Sequence, residues 1–214
     1  MMKLPALFVA GIVAAASSQA ADLDFDKTFN TKGEARQLNY RATYLSHGNE
    51  HQVEIWRDRD QRLKRRTDDK LETYIVKPSR QDEWNMVVLD LQRKMRTNIG
   101  RTNLYRIGHF TDWFSMSHAL ARPVGAYQLT ALATTPAGAK PLSSCRWYSL
   151  QQGQAESHIC WSTELHLPLL ITDPQGNIQW RVTAASKRTL PATVFAVHDT
   201  GFARNDANSD IQSD

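Results

Sequence analysis

The side chains able to do chemistry are few, and their spacing argues against most of the chemistry their types allow. Ser117-His118 places a nucleophile type beside a base type. Neighbours on a helix project about 100° apart, so this pair is not expected to hydrogen-bond as a nucleophile and its base. His109, Met116 and His118 are soft-metal ligand types, but Met116 and His118 stand two apart and do not converge on a helix. Asp206-Ala-Asn-Ser-Asp210 imitates the opening of a calcium loop, yet Ile211 stands where such a loop needs glycine. There is no Gly-x-Ser-x-Gly, His-Glu-x-x-His, phosphate loop or Gly-x-Gly-x-x-Gly. The expectation is a protein that is not an enzyme and carries no metal or other cofactor.

The two cysteines are the exception. Cys145 and Cys160 flank Gln151-Gln152-Gly153-Gln154, and each stands five residues outside that turn. Folding Cys145–Leu150 against Ala155–Cys160 as a hairpin puts the sulfurs in register on opposite strands. An oxidising compartment would close them into a structural disulfide; without Cys-x-x-Cys it is not a redox site. The same hairpin sets His158 nearly opposite Trp147, as a cross-strand packing partner.

The compartment is indicated by the N-terminus. Met1-Met2-Lys3 is a short positive region, Leu4–Ala16 an apolar run, and Ser17-Ser-Gln-Ala20 a small-residue cleavage site. This order predicts a signal peptide at residues 1–20 and a mature chain beginning at Ala21 in the periplasm. No second apolar run is long enough to span a bilayer, which excludes a polytopic membrane protein.

The elements that must position these residues are mostly strands. The chain has 214 residues, a formal net charge of +4 and 41% hydrophobic residues including six tryptophans, which suits one folded domain. That domain is expected over residues 21–198, with an irregular acidic tail at 199–214. Short segments alternate apolar and polar residues at 39–46, 52–58, 61–67, 71–77, 84–90 and 92–98. Polar gaps separate them, as in an antiparallel meander. In 61–67, Arg62, Lys64 and Arg66 take one face and Leu63 the other. Further strands are expected at 127–134, in the cysteine hairpin, and at 167–172, 177–186 and 193–198.

Between these groups, Leu104–Arg122 reads as one helix stopped by Pro123. Ile107, Phe110, Phe114 and Ala121 share a face, with Trp113 and Leu120 beside it, so the helix is apolar over more than one stripe. Two placements follow: inside or across the mouth of a curved sheet, or packed on one sheet face. The first makes a hydrophobic cavity, with Ile55, Met86 and Val88 from the sheet and Ile107, Phe110, Trp113, Phe114 and Met116 from the helix as its lining. The fold class is mainly β (α+β).

Charge is polarised. Residues 57–106 hold fourteen Lys/Arg against eight Asp/Glu, and residues 199–214 one Arg against four Asp. Export argues against nucleic acid. An anionic lipid headgroup, an acidic envelope polymer, a partner protein or a simple solvated sheet face remain as readings of the basic segment.

The leader, the Val53-Glu-Ile-Trp-Arg57 strand, the basic Arg62-Leu-Lys-Arg65 strand, Leu71-Glu-Thr-Tyr-Ile-Val76, and Trp84-Asn-Met-Val-Val-Leu-Asp-Leu91 running into Gln92-Arg-Lys-Met95 together resemble the LolA/LolB-like superfamily. That superfamily comprises periplasmic lipoprotein carriers and relatives that include RseB-type sensor domains. The resemblance implies an incomplete antiparallel barrel of about eleven strands curled around one or more helices. It also implies an apolar inner wall that receives acyl chains. The functional expectation is a non-enzymatic carrier of a lipid or acylated ligand, with peripheral membrane contact. The alternative is an envelope sensor or adaptor acting through protein–protein contacts.

Overall fold

The structure is a computed structural model that describes residues 22–59, 61–78, 83–108 and 110–207, without the side chains of residues 107 and 108. The expected signal peptide at 1–20 lies outside the described residues, as do His109 and the end of the tail.

Twelve strands form a single sheet. The first half is the expected meander: β1 (Gln37–Ser46), β2 (Asn49–Asp58), β3 (Arg62–Thr67), β4 (Leu71–Val76), β5 (Asn85–Asp90) and β6 (Met95–Ile99). The second half runs β7 (Gln128–Ala131), β8 (Arg146–Gln152), β9 (Ala155–Ser162), β10 (Leu167–Thr172) and β11 (Ile178–Ser186). β11 pairs antiparallel with β1 and so joins the halves. β12 (Ala203–Asp206) adds to the edge of β6 in parallel, and β7 forms the other edge, so the sheet curls without closing. Register shifts in the β1–β11, β10–β11 and β9–β10 pairings mark bulges along the second half. Bulges bend and twist a sheet, and curling is the result.

Alternation assigns the two faces. Leu38, Tyr40 and Ala42 of β1 and Val53, Ile55 and Arg57 of β2 are buried on the concave side. Leu63 and Arg65 oppose Arg57 and Ile55, so they share that side, while Arg62, Lys64 and Arg66 point the other way. There Arg62 pairs with Asp58, and Glu72 accepts from both Lys64 at 3.0 Å and Arg66 at 2.7 Å. The outward-facing cations of the basic strand are thus ion-paired within their own sheet.

Three short helices lie on the concave side: α1 (Phe25–Thr28), α2 (Arg101–Gly108) and α3 (Trp113–His118). The single helix expected over 104–122 is therefore two. Asp112 is the reason: its carboxylate accepts from the N–H groups of Phe114 and Ser115 and so starts a new helix. Ala119, at φ 53° in the left-handed region, ends α3 before Pro123 is reached. Phe25 and Phe29 of the α1 segment pack with Phe114 of α3 against Tyr148, Ile159 and Trp161.

The disulfide between Cys145 and Cys160 is present, but the hairpin register differs from expectation. Gln152 pairs with Ala155 around a two-residue turn, so Cys160 opposes Trp147 and His158 opposes Ser149. Gly153, at φ 59°, makes the shorter turn possible. A shift of two residues keeps Cys145 on the same face as Cys160, and the bond closes on a diagonal with the Cα atoms 5.4 Å apart. Cys160 alternates with Ile159 and Trp161, which face the helices, so the disulfide lies on the convex side.

The C-terminal part also departs from the sequence reading. Residues 193–198 are not a strand; Ala192–Phe195 form a 3-10 helix. Phe195 is buried, with the Arg62 guanidinium 4.5 Å from its ring centre. The acidic tail is not wholly irregular: Asp199 pairs with Arg96 at 2.5 Å and the chain then enters β12. Residues 192–199 thus cross the convex side of the meander before β12 joins its edge.

Candidate functional site

A cavity of about 400 Å³ opens between the concave face and the segment from Phe110 to Ala119. The sheet contributes Ile55, Leu63, Ile75, Met86, Val88 and Ile99, in register across β2 to β6, with Trp180 from β11. Phe110, Met116 and Ala119 come from the helical side. The wall is mostly apolar, and its polar members are Arg65, Thr73, Asp112 and Ser115. This size and makeup fit the clefts that take small apolar or amphipathic ligands.

Of the residues singled out in the sequence, Ile55, Met86, Val88, Phe110 and Met116 come together here. Trp113 and Phe114 do not. Trp113 packs edge-on against Trp84, with ring centres 5.6 Å apart. Phe114 turns into the aromatic cluster of Phe25 and Trp161. Dividing the helix at Asp112 resets the phase of its faces, so a single helical wheel over 104–122 misplaces both. Ile107 lies within α2, and its side chain is outside the described residues. Leu63, Ile75 and Trp180 were legible as inward positions of their strands, whereas Ile99 lies one residue beyond the strand expected at 92–98. Arg65, Thr73, Asp112 and Ser115 were not, because pattern reading assigns polar residues to solvent.

α3 sits on a buried ionic cluster adjoining the cavity. Arg57 follows Ile55 on the inner face of β2 and is fully buried. Its Nη2 lies 3.2 Å from Glu34 Oε2, and its Nη1 donates to the carbonyl of Ser117 at 3.4 Å. His118 Nε2 lies 2.9 Å from the same Glu34 oxygen. Ser117 Oγ is 2.8 Å from His118 Nδ1, so the two adjacent side chains do meet, contrary to the helical-wheel expectation. They meet because both turn back toward the preceding turn, where Ser117 Oγ donates to the carbonyl of Trp113 at 2.7 Å.

The electrostatics are those of a closed pair. Burial would raise the Glu34 carboxyl, but the hydrogen bond from His118 and the charge of Arg57 outweigh it and hold its pKa below the usual value. Burial lowers His118, the bond to Glu34 pulls back upward, and Arg57 adds to the lowering, so its pKa falls below the ordinary imidazole value. His118 Nε2–H thus donates to an ionised Glu34, while Nδ1 lies against Ser117 Oγ and, at 3.1 Å, the Phe114 carbonyl. Ser117, His118 and Glu34 resemble a hydrolytic triad in distances alone. Ser117 is fully buried and its hydroxyl is engaged with the backbone, so no substrate carbonyl can reach it. The cluster fixes α3 to the sheet.

Among the described residues, no group of three or more His, Cys, Asp and Glu side chains is arranged to hold a metal ion. Nor is any helix long and apolar enough to cross a membrane.

An open, curled sheet with helices and an apolar cavity in its concavity defines the class. No family model and no curated protein matches the chain. Among solved structures, the chain is similar to the one described as the crystal structure of MucB, at 14% identity and a TM-score of 0.37. The match covers 78% of this chain and 58% of that one, so the chain spans less than two thirds of that protein. At this level of likeness no function passes from one to the other.

Proposed function

We propose that this protein is a non-enzymatic periplasmic carrier that holds an apolar or acylated ligand, a lipid or a lipoprotein acyl chain, in the cavity of its open barrel. The observation that carries this reading is the cavity itself. Six aliphatic or Met side chains from five adjacent strands converge on it. Each methylene of a ligand buried there would contribute about 0.8 kcal/mol. The periplasmic part of the reading is supported by the leader sequence and by the disulfide, which belongs to an oxidising compartment.

The direct test is organic extraction of the purified protein followed by lipid mass spectrometry, together with titration of a fluorescent long-chain fatty acid. Val88→Trp, which fills the cavity with an apolar ring, should reduce binding of the probe at least about tenfold while circular dichroism stays native. A wild-type protein that extracts empty and binds no alkyl probe would overturn the carrier reading and favour the sensor or adaptor alternative.

A further inference from the structure

Among the described residues, the concave face carries one cation whose partners are all neutral. On the convex side of β3, Arg62, Lys64 and Arg66 are matched by Asp58 and Glu72. Arg65 faces the other way and lines the cavity between its register partners Ile55 and Thr73. Its Nε donates to Thr67 Oγ1 at 3.2 Å and its Nη2 to the hydroxyl of Tyr44 at 3.2 Å. The guanidinium carbon lies 5.5 Å from the centre of the Tyr44 ring. These contacts orient the side chain, and no carboxylate pairs with it among the described residues. Asp112, the acidic residue on the cavity wall, is engaged elsewhere. Its carboxylate is occupied by the N–H groups of Phe114 and Ser115, the hydroxyl of Ser115, and the Arg122 guanidinium at 3.2 Å.

A guanidinium beside apolar walls gains more from an anion than from neutral dipoles, because low local polarity strengthens the attraction and two parallel N–H···O bonds can form. The alkyl-lined wall and this cation belong to one space. We propose that the cavity selects an anionic amphiphile, with its alkyl chain against Ile55, Met86 and Val88 and its carboxylate or phosphate oxygens on Arg65. This rests on the carrier reading and narrows it to a charge class. Tyr44 acts as a positioning residue, holding the guanidinium against the wall.

The test uses four ligands of equal chain length, each below its micellar concentration: hexadecanoate, hexadecyl phosphate, hexadecanol and hexadecyltrimethylammonium. Affinities are measured by displacement of a fluorescent alkyl probe from the purified protein. At least one of the two anions should bind about tenfold or more tighter than hexadecanol, and the cation more weakly than the alcohol. The ratio between the two anions separates a carboxylate ligand from a phosphate one. In Arg65→Met the anion preference should vanish while hexadecanol affinity changes by less than about threefold, and Arg65→Lys should retain part of the preference. Equal affinity of the wild type for anion and alcohol would overturn this inference and leave the carrier reading intact. Failure to bind any of the four would overturn both. Should Arg65→Met not fold, the wild-type series decides on its own.

Discussion

At the scale of single residues, the molecule turns on a buried arginine that cannot lose its charge. Arg57 is sealed between the sheet and α3, with Glu34 as its only carboxylate partner among the described residues. Removing one member of such a pair leaves the other charged and unpaired in a poor solvent. Glu34→Ala should therefore lower unfolding stability by about 3 kcal/mol, measurable by urea denaturation, and Glu34→Gln by less because an amide oxygen still accepts.

His118 gives the same cluster a pH dependence. Its folded pKa lies below the ordinary value of 6.5, so the unfolded chain takes up the proton first as the pH falls. The stability it contributes is complete above the ordinary value and is lost as pH drops through the folded pKa. Glu34, also depressed, contributes a further loss of the same sign below its ordinary value of 4.5. Thermal melts should show a falling midpoint from pH 7 toward pH 5. His118→Gln, which keeps a donor near Glu34 and cannot titrate in that range, should flatten the curve. A wild-type midpoint constant across the interval would contradict this account.

At the scale of elements, the α1 segment is too short to be stable alone and owes its place to two aromatic side chains. Phe29 is almost completely buried, with its ring centre 5.1 Å from that of Trp161 and 5.3 Å from that of Tyr148. Phe25 and Phe29 thus connect the N-terminus to α3 and to β8–β9. Phe29→Ala should cost about 3–5 kcal/mol in chemical denaturation. Because the same cluster holds Phe114, the mutant should also loosen α3, seen as faster amide exchange at Phe114–Ser117 than in the wild type. On the other side of the sheet, the Cys145–Cys160 bond anchors the segment entering β8 to the middle of β9. It is the element-scale feature most directly legible in the sequence, since the pairing follows from two cysteines around one turn. The register was not, because a four-residue and a two-residue turn differ only in how the backbone at Gly153 is used.

At the scale of the whole molecule, an incomplete barrel has two edges, and each exposes unpaired backbone groups. β12 covers the β6 edge by parallel pairing, held there by the Asp199–Arg96 ion pair. A chain ending at His198 should expose β6. Size-exclusion chromatography with light scattering should then show concentration-dependent self-association that the full chain lacks. A truncated chain that stays monomeric at high concentration would show that β12 has no such protective role.

What the sequence determined by itself is what depends on local spacing. Alternation defined the β1–β6 meander and the inward positions Ile55, Met86 and Val88, because a strand puts every second residue on one face. Turn chemistry and two cysteines defined the β8–β9 hairpin. The tertiary structure alone decided what depends on residues far apart in the chain. It brought Glu34 to Arg57 and His118, since buried charges choose partners by position in space. It seated β12 on β6, since an edge recruits whichever segment reaches it. It also turned Trp113 and Phe114 away from the cavity while bringing Arg65 into it. Apolarity specifies that a side chain be buried, but the direction in which it is buried is settled only when the surrounding elements have packed.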